Sequence, residues 1–192
     1  VAIGALFNTG VNGAAGHARV YSWNGTSWTQ KGGDLDGDAP TDHFGQSISL
    51  NADGNVVAVG AKWNDVTASK AGQTKVFVWN GTTWVQRGSS LHGDAADDEF
   101  GFSVGLSADG LALGVGARYG GSEGHAKAYD LCTCESSSFV TASQCGGTYT
   151  GPSGKVYAAT GLYLDTLENG NAAGCDSIVT LNLTINNSVS ST

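Results

Sequence analysis

At residue 57 the chain starts over. "VAIGA" at Val1–Ala5 returns as "VAVGA" at Val57–Ala61 and as "LGVGA" at Leu113–Ala117, a spacing of 56 residues. Longer blocks follow in the same order: "WNGTSWTQKG" and "WNGTTWVQRG", then "FGQSISLNADG" and "FGFSVGLSADG". The third copy keeps its start, shortens a loop to "RYGGSEGHAKAYD" and stops near Asp130. A period of this size marks stacked supersecondary units, none of which can bury its apolar face alone. The chain therefore divides into repeats 1–56, 57–112 and 113–130, followed by a region 131–192 of different composition.

Within one repeat the apolar period is two, so the units are strands. In "HARVYSW", His17 and Arg19 alternate with Ala18 and Val20. "SWTQKG", "FGQSISL" and "NVVAVGA" supply further short strands. Asn24-Gly25, Asn80-Gly81, Asp53-Gly54 and Asp109-Gly110 separate them, and such pairs predict tight two-residue hairpins. The composition agrees, with 30 Gly, 5 Trp and no Met among 192 residues. The expected fold class is all-β: four-stranded antiparallel, blade-like units, and no helix of useful length.

The blocks "VAIGA…GHARVY…WTQKGGDLDGD…DHFGQSISLNADG" resemble the FG-GAP type of repeat, which builds β-propellers in integrin α-chains and many secreted proteins. The resemblance covers residues 1–130 and implies an extracellular, adhesive or scaffolding setting rather than one activity. Propellers close with about 4–8 blades, and two and a fraction are present. The expectation is an incomplete propeller or an open β-stack, whose exposed strand edges invite pairing with another chain.

After residue 130 the chain turns rich in Ser, Thr, Gly and Cys. Val179, Leu181, Leu183 and Ile185 alternate with Thr180, Asn182, Thr184 and Asn186, giving one apolar and one polar face. "GLYLDTL" reads as a partner strand. The block "GLYLDTLENGNAAGCDSIVTLNLTI" resembles the C-terminal modules of bacterial secreted surface proteins, and the region reads as a small immunoglobulin-like sandwich. So short a module needs reinforcement. Cys132, Cys134, Cys145 and Cys175 are the expected disulfide formers, which also argues for an oxidising compartment. Four cysteines allow three pairings; the preferred one joins Cys132 or Cys134 to Cys175 and the other to Cys145. Zinc fits this spacing poorly.

The loop "DLDGDAPTDHFG" looks like a calcium loop, since Asp34, Asp36, Asp38 and Asp42 offer the hard oxygens that calcium prefers. Its second copy, "SLHGDAADDEFG", replaces Asp34 by Ser90 and Asp36 by His92. Both copies retain Leu, Gly, Asp, Ala, a later Asp and Phe-Gly, which describes a turn with Asp capping backbone N–H groups. Calcium is thus at most a property of the first copy, and no other cofactor is expected.

"GFSVG" at Gly101–Gly105 copies a nucleophile-elbow pattern but lies inside a period-2 strand with no helix after it. His17, His43, His92 and His125 form no acid–base set. Four sequons, at Asn24, Asn80, Asn182 and Asn186, are candidate glycosylation sites. Trp23/Trp28 and Trp79/Trp84 flank the Asn-Gly turns and read as cross-strand pairs.

A net charge of −8 with nine Lys and Arg excludes a nucleic-acid footprint. No apolar run approaches about 18 residues, so no membrane span is expected. The first residue is Val and no signal-peptide pattern is present, as in a processed chain or a piece of a longer one. No catalytic constellation is visible. The sequence reads as a non-enzymatic extracellular structural or adhesive protein, a homo-polymer joined by strand-edge complementation through Val1–Ala5 or Ser177–Ile185. The alternative is a lectin-like module of a larger secreted protein, binding surface glycans or other surface proteins.

Overall fold

The computed structural model describes residues 1–9, 13–119, 123–131, 138–145, 147–167 and 177–186. It divides into two compact units, Val1–Leu131 and Cys132–Thr192. Every regular element described is a strand, and no described helix is long and apolar enough to cross a membrane.

The first unit holds three sheets. In the first, β1 (Ala2–Ala5), β2 (His17–Trp23) and β3 (Trp28–Gln30) run in order, and β4 (Leu35–Asp36) also pairs with β2. The second runs β5 (Phe44–Leu50), β6 (Val56–Ala61), β7 (Gln73–Trp79) and β8 (Trp84–Gln86), with β9 (Leu91–His92) on β7. The third runs β10 (Phe100–Leu106), β11 (Ala112–Ala117) and β12 (His125–Asp130). All pairings within them are antiparallel.

The sheets are offset from the sequence period. A full sheet begins at Phe-Gly, so β5 lies at the end of the first sequence repeat and pairs with β6 of the second. Among the described residues the first sheet accordingly has no Phe-Gly strand, and the third has no strand equivalent to β8; residues 132–137, which follow β12, lie outside them.

Alternation sends the second sheet's side chains into two cores, one on each face. One is built from Ala18, Val20 and Leu35 of the first sheet against Phe44, Val57, Val59, Ala61 and Trp84 of the second. The other sets Val56, Ala58 and Val76, on the opposite face of the second sheet, against Phe100, Leu113, Val115 and Ala117. Each buried Val, Leu or Phe contributes about 1.5–3 kcal/mol. The sheets approach closely because glycine sits where they cross. A Cβ on Gly4 would stand 2.1 Å from the Gly45 carbonyl oxygen, and one on Gly60 would stand 2.0 Å from that of Gly101. Between the second and third sheets, Ser47 Oγ donates to the Gly101 carbonyl at 2.8 Å, and the Leu106 N–H donates to Ser49 Oγ at 3.0 Å.

The Asn-Gly turns differ from the tight hairpins expected. Of the pair, only Gly25 is left-handed, at φ +99°. Asn24 Oδ1 instead accepts the N–H groups of Thr26 and Ser27 at 2.9 and 2.8 Å, closing a four-residue loop. Asn80 does the same with Thr82 and Thr83. The side-chain carbonyl substitutes for the second left-handed residue. The aromatic pairs form as expected: Trp23–Trp28 and Trp79–Trp84 each lie 5.4 Å apart, ring centre to ring centre.

In the second unit, β13 (Ser138–Cys145) runs parallel to β17 (Ser177–Asn186), whose other edge pairs antiparallel with β16 (Gly161–Leu167). β14 (Tyr149–Thr150) and β15 (Val156–Tyr157) make a separate hairpin. Leu181, Leu183 and Tyr157 form the core, with Val140, Tyr163 and Ile185 around it. Buried Asp165 accepts the Ser153 N–H at 3.0 Å and the Ser153 hydroxyl, which pins the turn after β14. The strand Ser177–Ile185 is central, hydrogen-bonded on both sides. As folded, both of its edges are taken up within the unit.

Candidate functional site

The acidic loop resolves into four separate jobs. Asp34 accepts a two-pronged ion pair from Arg19, Nε at 2.8 Å and Nη2 at 2.7 Å, and a third bond from Gln30 at 2.7 Å. The Arg19 hydrogen bonds hold its carboxyl down at about 2. Asp38 reaches forward to Lys75 of β7 at 2.5 Å. Asp42 is buried and turns the loop, accepting the Ala39 N–H at 3.0 Å. It also meets the second sheet: its Oδ2 accepts from Asn64 Nδ2 at 3.0 Å, and its carbonyl from the Trp63 N–H at 3.1 Å. Asp36 lies with Asp34 beside buried His17, close enough that one ligand atom from each falls within 4.8 Å of the others. The structure thus brings together Asp34 and Asp36 but sends Asp38 and Asp42 elsewhere.

The second loop repeats the architecture one repeat on. Lys127 of β12 pairs with Asp94, the equivalent of Asp38, and Asp98 accepts the Asp94 and Ala95 N–H groups at 2.7 and 2.9 Å. The Tyr119 N–H donates to the Asp98 carbonyl at 3.2 Å, as Trp63 does to Asp42. Thr41 and His43 are left-handed in the first loop, and so are Asp97 and Glu99 in the second. Both loops are therefore joints that tie one sheet to the next, and their strained backbone is stable against a change of side chain. Arg19 is the exception among the three equivalent cations: with no preceding joint described, it folds onto Asp34 of its own sheet. In the second copy that position is Ser90, and Lys75 is directed to Asp38 across the junction.

The most unusual surface is the face of the first sheet turned away from the second. Val1 and Ile3 are 56% and 54% exposed there. Their equivalents one repeat on, Val57 and Val59, are fully buried, and two repeats on, Leu113 and Val115 are 1% exposed. Trp28 is 53% exposed, whereas its equivalent Trp84 is 9% exposed and donates its indole N–H to the Lys31 carbonyl of the preceding sheet at 2.6 Å. Val1, Ile3, Tyr21 and Trp28 line an open apolar groove of about 350 Å³. Beside it, among the described residues, β1 pairs only with β2, while β6 and β11 each lie between two strands. Sequence reasoning named Val1–Ala5 as an edge but missed Tyr21 and Trp28; a comparison of each repeat position with its copy 56 residues on was the signal available.

The remaining candidate sites are surface features. Asn24, Asn80, Asn182 and Asn186 are all exposed. Cys145 is exposed at the end of β13 with no disulfide partner among the described residues; Cys132, Cys134 and Cys175 lie outside them. Gly101–Gly105 lies within β10, with no helix after it. Burial, and then the nearby charge of Lys62, push the His43 imidazole below its ordinary range, where it stacks on Trp63 at 4.0 Å. No protein-family model matches the chain, and no curated protein matches it either.

Proposed function

We propose that this chain is an extracellular structural or adhesive protein that assembles with further chains through the uncovered face and edge of its first sheet. The observation that carries the reading is the contrast between Val1 and Ile3, more than half exposed, and Val57 and Val59, fully buried at the same repeat position. Two apolar side chains, a tryptophan and an unpaired strand edge in one place make a template for another β-surface. Arg19 is already neutralised by Asp34 within the sheet, so covering this face does not strand the guanidinium. The clustered cysteines support an oxidising setting. Deleting residues 1–5 should abolish large assemblies in negative-stain microscopy while the second unit keeps its fold; assemblies of unchanged size would contradict the reading.

A second reading rests on the exposed Trp23–Trp28 pair. A groove beside it is lined by Lys31, Asp53 and Ser22, a mixture of aromatic platform and polar groups suited to a sugar. Under this reading a glycan array gives hits that vanish in Trp23→Ala; an array without hits removes it.

A further inference from the structure

We propose that the edge of β1 left unpaired among the described residues receives an extended polypeptide segment carrying this chain's own Phe-Gly-x-Ser-x-x-Leu pattern. The inference rests on the reading of this face as an assembly surface and specifies what enters it.

The molecule shows the occupant twice. β5 covers β6 with Phe44 opposite Ala61, Ser47 opposite Gly60, Ile48 opposite Val59 and Leu50 opposite Val57. β10 covers β11 in the same register, with Phe100 opposite Ala117, Ser103 opposite Gly116, Val104 opposite Val115 and Leu106 opposite Leu113. Shifted back one repeat, this register sets a phenylalanine opposite Ala5, a serine opposite Gly4, an aliphatic residue opposite Ile3 and a leucine opposite Val1.

Each position of that register has its receptor. The phenylalanine ring meets an aromatic edge in both copies, Phe44 on Phe77 at 6.4 Å and Phe100 on Tyr129 at 6.2 Å, each near 86°. Tyr21 is the equivalent of both and lines the open groove. The serine hydroxyl sits 2.4 Å from where a Cβ of Gly60 or of Gly116 would stand. At Gly4 the three atoms nearest the Cβ position all belong to the Gly45 backbone of the next sheet, and no side chain stands as close as the serine hydroxyl does in the other two copies. The glycine after the phenylalanine is needed because the covering strand bulges there, with Gly45 and Gly101 at φ +88° and +84°. Backbone pairing supplies affinity, and the alternate side chains supply register.

The test is a titration of the full chain with a fluorescein-labelled synthetic peptide of residues 42–51, read by anisotropy below the concentration at which the chain associates. We expect saturable binding, weakened at least tenfold when the peptide carries Phe44→Ala and likewise when the protein carries Ile3→Asp. No binding, or binding indifferent to the peptide's phenylalanine, overturns the proposal. Light scattering on the same protein separates this from the assembly reading. A chain that associates but ignores the peptide keeps the assembly reading and loses this one; a chain that stays monomeric yet binds the peptide does the reverse.

Discussion

The first and second sheets carry nearly the same residues, and they meet solvent differently. Val57, Val59 and Trp84 are core residues because the first sheet stands in front of them; Val1, Ile3 and Trp28 face open space. Burial here is a property of the neighbour and not of the strand, as expected of a stack in which each repeat touches only the next. The third sheet supports the same lesson from its other side. Where the second sheet offers Val76 and Val78 to its neighbour, the third offers Ala128 and Asp130, and Gly105 and Gly114 lie exposed. One end of the stack exposes core-type residues, with none of the described residues covering them, and the other has exchanged bulk for small and polar side chains.

Placing a charge on each side of this comparison breaks it most sharply. Val59→Asp should unfold the first unit, since an unpaired buried carboxylate costs more than about 4 kcal/mol. Ile3→Asp at the equivalent position should leave monomer stability within about 0.5 kcal/mol while removing association. Urea melts of both variants check this. The glycine notches come next. Gly60→Ala drives a methyl into the Gly101 carbonyl and should cost about 3 kcal/mol or more, whereas Gly116→Ala meets only the movable Ser103 hydroxyl and should be tolerated. Trp84→Ala removes a buried indole and its hydrogen bond, for about 3–5 kcal/mol; Trp28→Ala should cost less than about 1 kcal/mol in the monomer.

Much of this was legible in the sequence. The 56-residue period, the period-2 strands, the Trp pairs and the alternation from Val179 to Ile185 all follow from local pattern, and all are present as strands or ring contacts. The offset between sequence repeat and sheet was less visible, although the Asp53-Gly54 hairpin joins β5 to β6 and pointed to it. The jobs of the acidic loop were hidden because each of Asp38 and Asp42 finds its partner in the next sheet, at Lys75 and Asn64, and nothing local announces such a contact. The central position of β17 was equally hidden, because strand order depends on β13, whose parallel pairing spans most of the second unit.

Smaller effects sharpen the picture. Both His43 and Asp34 titrate lower in the folded state than in the unfolded chain. Each therefore contributes stability that is fully present above its unfolded value and is lost as pH falls toward its folded one. For His43 the loss starts below about pH 6.5, and for Asp34 it runs from about pH 4 down to about pH 2. Thermal melts across this range should show two declines, the upper absent in His43→Gln and the lower reduced in Asp34→Asn. Smallest of all, Asp94→Asn loosens an exposed carboxylate from half-buried Lys127; its effect on the melts should be the least of these and should shrink further in high salt.

The most direct measurement is sedimentation velocity of the full chain across a hundredfold range of concentration, beside Ile3→Asp under the same conditions. An open stacking face predicts that the unaltered chain grows into larger species as concentration rises while the variant stays at the mass of one chain. A single monomeric species for both, at every concentration, would contradict the account.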